Sequence, residues 1–123
     1  MAPKLRDAVM HEVGIMESAI SAALKQARER GAGRVHRIVI RVGTLSGVEP
    51  DALRFAFDIA AGGTPADGAI LVIETVPARA WCAGCGLEFE ASSGFIFACP
   101  RCSRLSGELR RGRELELSQV EMS

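Results

Sequence analysis

The chain has 123 residues with fifteen basic and fifteen acidic side chains, so its formal net charge is zero and no overall field favours nucleic acid or an anionic membrane. That length accommodates one modest core and a small satellite, not two independent cores. No apolar stretch approaches the roughly 20 residues that span a bilayer, and Met1–Val9, interrupted by Lys4, Arg6 and Asp7, does not read as a secretory leader; the expected location is the cytoplasm.

From Val13 the apolar residues Val13, Met16, Ile20, Ala23, Leu24 and Ala27 recur at helical spacing, and Gly31 is placed to cap the C-terminal end. Val35–Val42 reads as a strand with Ile38, Ile40 and Val42 on one face and Arg37 and Arg41 on the other. His36 begins the face shared with Ile38 and Ile40, which predicts a partly buried edge residue with a structural role. After a loop over 43–48, Pro50 suits the first position of a second helix with Leu53, Ala56, Phe57 and Ala60 on its buried stripe, ended by Gly62-Gly63. Ala69–Val76 is an apolar strand, and Arg113–Val120 alternates well enough to return as another. The expected fold is α+β, a small sheet of about three strands packed with two helices. Residues 79–106 form an inserted module with crossings near Pro77 and Gly107, 10–78 plus 107–122 form the main domain, and 1–9 are a flexible N-terminal extension.

All four cysteines lie in the insert, as Cys82-Ala83-Gly84-Cys85 and Cys99-Pro100-Arg101-Cys102. Two C-x-x-C turns separated by one hairpin's length predict a zinc-ribbon-like module, because four thiolates at about 2.3 Å satisfy tetrahedral Zn(II). Disulfides would need an oxidising compartment, and a redox pair explains one such turn but not two. Between Trp81 and Ser103 the large apolar side chains are few, chiefly Trp81, Leu87, Phe89, Phe95, Ile96 and Phe97, too little to offset the ordering entropy without a bound ion. Gly86, directly after Cys85, permits the positive φ such a turn requires. Ser103 holds the equivalent place after Cys102 and predicts either strain or a different turn there. Arg101, Arg104, Glu88 and Glu90 read together as a solvated surface.

Met10-His11-Glu12 stands immediately before the first helix. On local composition these are polar residues at a helix start, where Glu12 suits the positive end of the helix dipole. Several separated blocks give the segment more weight. They are Met10-His11-Glu12, Arg37-Ile38-Val39-Ile40-Arg41-Val42-Gly43, Leu45–Phe57, the strand with Gly68-Ala69, Leu71 and Ile73-Glu74, the cysteine pairs, and Gly112-Arg113-Glu114-Leu115. In that order and spacing, from Met10 to about Met122, the chain resembles the HypA hydrogenase nickel-incorporation proteins. The resemblance implies a nickel metallochaperone and not an enzyme, with structural zinc on Cys82, Cys85, Cys99 and Cys102 and transferable Ni(II) at His11, with Met10 and Glu12 as further candidate ligands. It implies action with the GTPase HypB on the large subunit of [NiFe]-hydrogenase, with urease maturation as a related destination. Glu49, before the second helix, is a candidate for approaching the nickel site or facing HypB.

Ni(II) accepts planar, nitrogen-rich coordination, and a chain beginning Met-His-Glu offers an α-amine, backbone amides and an imidazole. This chain departs from that pattern because nine residues precede Met10. Either the polypeptide starts at Met10, or His11 works with the Glu12 carboxylate and other ligands in looser geometry. Two other function classes remain open. A zinc-ribbon nucleic-acid or protein-interaction module would use the same cysteines, but the chain lacks the basic excess that phosphate contacts need. A zinc enzyme is disfavoured because four thiolates leave no position for water.

Overall fold

The computed structural model describes residues 12–91 and 97–123. Helix α1 (Glu12–Glu29) buries Ile15, Met16, Ala19, Ile20, Ala23 and Ala27, rows spaced by four that form one stripe. Val13 lies off that stripe and is exposed, contrary to the sequence reading, while Ile15 takes the buried place. The helix ends as expected at Gly31, whose φ of +70° lets its N–H reach Arg28 O and the Ala32 N–H reach Ala27 O.

Strand β1 (Val35–Gly43) is the centre of the larger sheet. Helix α2 (Pro50–Ala61), with Pro50 in its first turn, buries Leu53, Ala56, Phe57 and Ala61 and returns the chain to β2 (Ile70–Val76), which pairs with β1 in parallel. On the other side β8 (Leu115–Met122) pairs antiparallel with β1. Ile38, Ile40 and Val42 face the helices together with Leu71, Ile73, Leu115 and Leu117. The opposite face carries Arg37, paired with Glu121 at 2.6 Å, and Arg41, paired with Glu116 at 3.2 Å.

His36 is exposed, not partly buried. A register shift between Val35 and Arg37 breaks the two-residue alternation there, so Val35 turns inward and His36 turns out to meet Ser123 Oγ at 2.5 Å.

A second sheet, β4-β3-β7, is built from β3 (Arg79–Cys82), β4 (Leu87–Glu90) and β7 (Leu109–Arg111). Beside it β5 (Phe97–Ala98) pairs with β6 (Leu105–Ser106). Ala78, Ala80, Phe89, Ala91 and Phe97 form a core with Cys82 and Cys99, against which Leu45 from the loop after β1 is packed. The two sheets meet backbone to backbone. Leu45 N–H donates to Gly112 O at 2.6 Å, Ala78 N–H donates to Thr44 Oγ1 at 3.1 Å, and a Cβ on Gly43 would overlap the Gly112 carbonyl.

Candidate metal centre

Each cysteine pair is carried by the turn of a hairpin. Cys82 ends β3, and the turn into β4 supplies Cys85; Cys99 follows β5, and the turn into β6 supplies Cys102. The two turns repeat one hydrogen-bond geometry, with Gly86 N–H donating to Cys82 O and Ser103 N–H to Cys99 O, both at 2.8 Å. Their next residues share a left-handed backbone, Gly86 at φ +66° and Ser103 at φ +62°. Ser103 is the one non-glycine residue with positive φ among the described residues, as its place after Cys102 predicts.

This geometry brings the four sulfurs within 4.8 Å of one another. Cys82 Sγ lies 3.5 Å from Cys102 Sγ and Cys85 Sγ lies 3.9 Å from Cys99 Sγ. Four sulfurs around one ion in a tetrahedron with bonds of about 2.3 Å are separated by about 3.8 Å, so the observed spacing fits a single ion. Cys82 and Cys99 are buried, Cys85 is half-buried and Cys102 is exposed; the site is closed on the core side and open beside Cys102.

The electrostatics also fit a cation. Backbone N–H groups of Cys102 and Arg101 hold the Cys99 thiol at about 7, below its ordinary value. Contact with the Cys102 side chain, then burial, then the Cys82 and Cys99 side chains push Cys85 up to about 12. Crowded sulfurs resist a full set of negative charges, and a divalent ion between them removes that resistance. A site filled by four thiolates leaves no coordination position for a reacting water.

The other residues singled out from the sequence lie apart from this cluster in the chain. Glu12 is the first residue of α1; Met10 and His11 lie outside the described residues. Glu49 precedes α2 as an exposed residue without a side-chain cap bond. Arg104 is exposed, in keeping with the solvated-surface reading, and its guanidinium lies against Gly84 of the first cysteine turn. No sequence signal announces that contact, since one partner has no side chain.

Residues 10–122 match the family described as hydrogenase/urease nickel incorporation, metallochaperone, hypA. The hydrogenase maturation factor HypA of Chloroflexus aurantiacus is 45% identical over 112 residues, covering 91% of this chain and 98% of that relative. The hydrogenase maturation factor HypA of Acidithiobacillus ferrooxidans is 41% identical over 113 residues, covering 92% and 99%. Among solved structures, the Ni metallochaperone HypA from Helicobacter pylori shares the fold with a TM-score of 0.65 at 23% identity, over 92% of this chain and 97% of that one. A second HypA solution structure gives a TM-score of 0.70 at 23% identity, over 94% and 98%. Its sequence over nearly its whole length, its two-helix sheet and its converging cysteine pairs agree: this chain belongs to the HypA family of hydrogenase maturation factors and nickel metallochaperones, which are not enzymes.

Proposed function

We propose that the chain carries Ni(II) at its Met10-His11-Glu12 segment and delivers it in the cytoplasm, with the GTPase HypB, to the large subunit of [NiFe]-hydrogenase. The family's description also names urease, and urease maturation is a second destination for the same cargo. Zinc is the resident ion of Cys82, Cys85, Cys99 and Cys102, a ligand set that suits Zn(II) and holds it without exchange. Residues 79–106 act as the zinc module, 10–78 plus 107–122 as the nickel-binding domain, and Glu49 as a further contact to nickel or HypB.

The observation that carries this reading is the separation of two metal chemistries along one chain. Four thiolates fill the coordination of the ion in the cysteine cluster and suit retention, whereas the family match begins at Met10, directly before the only histidine besides His36. Imidazole is the strongest nickel ligand that segment offers. Calorimetric nickel titration of His11→Ala, with zinc content and circular dichroism measured alongside, tests it. Nickel binding is lost while one zinc per chain and the fold remain; undiminished nickel affinity in that variant would place the cargo elsewhere, with His36 and the cysteines next to be tried.

A further inference from the structure

Where the chain passes from β7 to β8 there is a cavity of about 330 Å³, lined by Arg110, Arg111, Arg113, Glu114, Glu116 and two leucines. Its two sides are charged unequally. On the β8 side one arginine serves two carboxylates, since Arg41 lies 3.2 Å from Glu116 and 3.5 Å from Glu74. Glu114, the other lining carboxylate, accepts the Gly112 N–H at 2.7 Å. On the β7 side the ratio is reversed, and two arginines share one carboxylate. Arg79 and Arg111 are direct cross-strand partners, a position in which like charges are destabilising. Arg79 Nε takes the hydrogen bond to Glu88 Oε1 at 3.2 Å, which leaves Arg111 Nε 3.6 Å from the same oxygen, an ion-pair contact too long for a hydrogen bond. Arg110 is already engaged, by Glu108 at 2.7 Å and by the face of Trp81 at 4.4 Å. The surplus positive charge of the Arg79–Glu88–Arg111 group therefore falls on Arg111, which is exposed.

We propose that this cavity binds a compact phosphate-bearing anion, with Arg111 as its principal ligand. A guanidinium presents a planar fork that two phosphate oxygens match, and the anion supplies the second negative charge that two facing arginines and one glutamate lack. The volume is at the low end of small-molecule sites, which favours a phosphate or diphosphate group over a protein segment. An excess of one guanidinium suits one such anion and not the track of phosphates that a nucleic acid presents. Glu114 and Glu116 confine the anion to the Arg111 end and keep its affinity modest. A free phosphate ion and the phosphates of a nucleotide share this chemistry.

The chain has one tryptophan and no tyrosine, and Arg110 of the cavity lies over its ring, so intrinsic fluorescence reads the site through Trp81 alone. Full-length protein of measured metal content is titrated at low ionic strength with inorganic phosphate, diphosphate and ADP, against sodium chloride of equal ionic strength, with calorimetry in parallel. Diphosphate gives a saturating change that chloride does not, and added salt weakens it. Arg111→Gln binds diphosphate about tenfold more weakly, the scale of one charge-assisted hydrogen bond. Glu88→Gln binds it about threefold more tightly, the scale of one partly exposed charge interaction, because both guanidiniums are released. A purely structural role for the three side chains would move both variants in the same direction. ADP binding more tightly than diphosphate identifies a nucleotide as the source of the phosphate, and ADP binding no more tightly identifies the free anion. The proposal is overturned by the absence of saturable binding in both methods, by a signal that tracks loss of bound metal, or by a hexaglutamate peptide that binds more tightly than diphosphate. If Arg111→Gln cannot be obtained folded, Glu88→Gln decides alone, and binding equal to or weaker than wild type overturns it.

Discussion

Gly86 and Ser103 occupy the same position in the two cysteine turns and adopt nearly the same backbone, at φ +66° and +62°. Glycine takes that conformation freely, whereas an L-residue with a side chain gives up roughly 1–2 kcal/mol. Ser103→Gly relieves the strain but adds freedom to the unfolded chain, worth about 0.5–1 kcal/mol. The metal-loaded protein therefore gains about 0.5–1 kcal/mol of stability, read as a higher urea midpoint, and Gly86→Ser loses a similar amount or more. A destabilised Ser103→Gly protein would show that the serine side chain contributes something the backbone argument omits.

The junction between the sheets rests on a different pair of glycines. A Cβ on Gly43 would overlap the backbone of Gly112, and one on Gly112, at φ +122°, would stand 2.7 Å from Ala78 Cα. Neither neighbour is a flexible side chain that can swing away. Gly43→Ala costs about 1–3 kcal/mol by overpacking, seen in denaturant unfolding, and Gly112→Ala adds backbone strain to its clash. An unfolding midpoint unchanged in either variant would mean that the two sheets can separate without penalty.

Metal uptake is coupled to protons in a way that the Cys99 environment makes specific. Backbone donors hold that thiol at about 7, so in metal-free protein it is protonated at pH 6 and largely ionised at pH 8. Binding needs the thiolate, and affinity falls as pH drops through that value. Zinc uptake by metal-free protein releases about one proton fewer at pH 8 than at pH 6 from this group. Calorimetry in buffers of different ionisation enthalpy gives the count; the same release at both pH values excludes a lowered Cys99.

If nickel is held at Met10-His11-Glu12 as proposed, the residues before Met10 set its coordination. A chain beginning at Met10 supplies a free amine, so it binds nickel more tightly than one beginning at Met1 and gives the yellow absorbance of planar Ni(II). Its affinity also rises more steeply with pH, because amide protons are displaced on binding. Titration and visible spectroscopy of both chains, at several pH values, make the comparison. Equal affinity, colour and proton release would leave His11 working with side chains alone.

Much of this architecture is legible in the sequence because glycine and proline mark the ends of α1 and α2 and because β1, β2 and β8 have long apolar patterns. The cysteine spacing predicts convergence of the sulfurs, and their spacing in space agrees. The strands β5, β6 and β7 have two or three residues each, too few for alternation to show; they exist because β3 and one another offer pairing edges. His36 faces solvent where strict alternation predicts the buried face, because a bulge changes the parity of β1, which no local composition encodes. Arg104 is invisible for a related reason, since its partner is the backbone of a glycine distant in sequence. Met10 and His11 become candidate site residues only through the family resemblance.

The cysteine-bearing segment lies between β2 and β8, so the chain cannot complete its central sheet until that whole detour has been closed. With the ion bound, β3 and β7 are already side by side and the ends near Val76 and Leu115 are held close, sparing a loop-closure entropy on the order of 1–2 kcal/mol. If zinc is the resident ion, as proposed, its supply acts on the refolding rate of the helical body, where none of the four cysteines lies. Chains refolding without the ion would leave the last strand unpaired for longer, an exposed edge prone to proteolysis and aggregation.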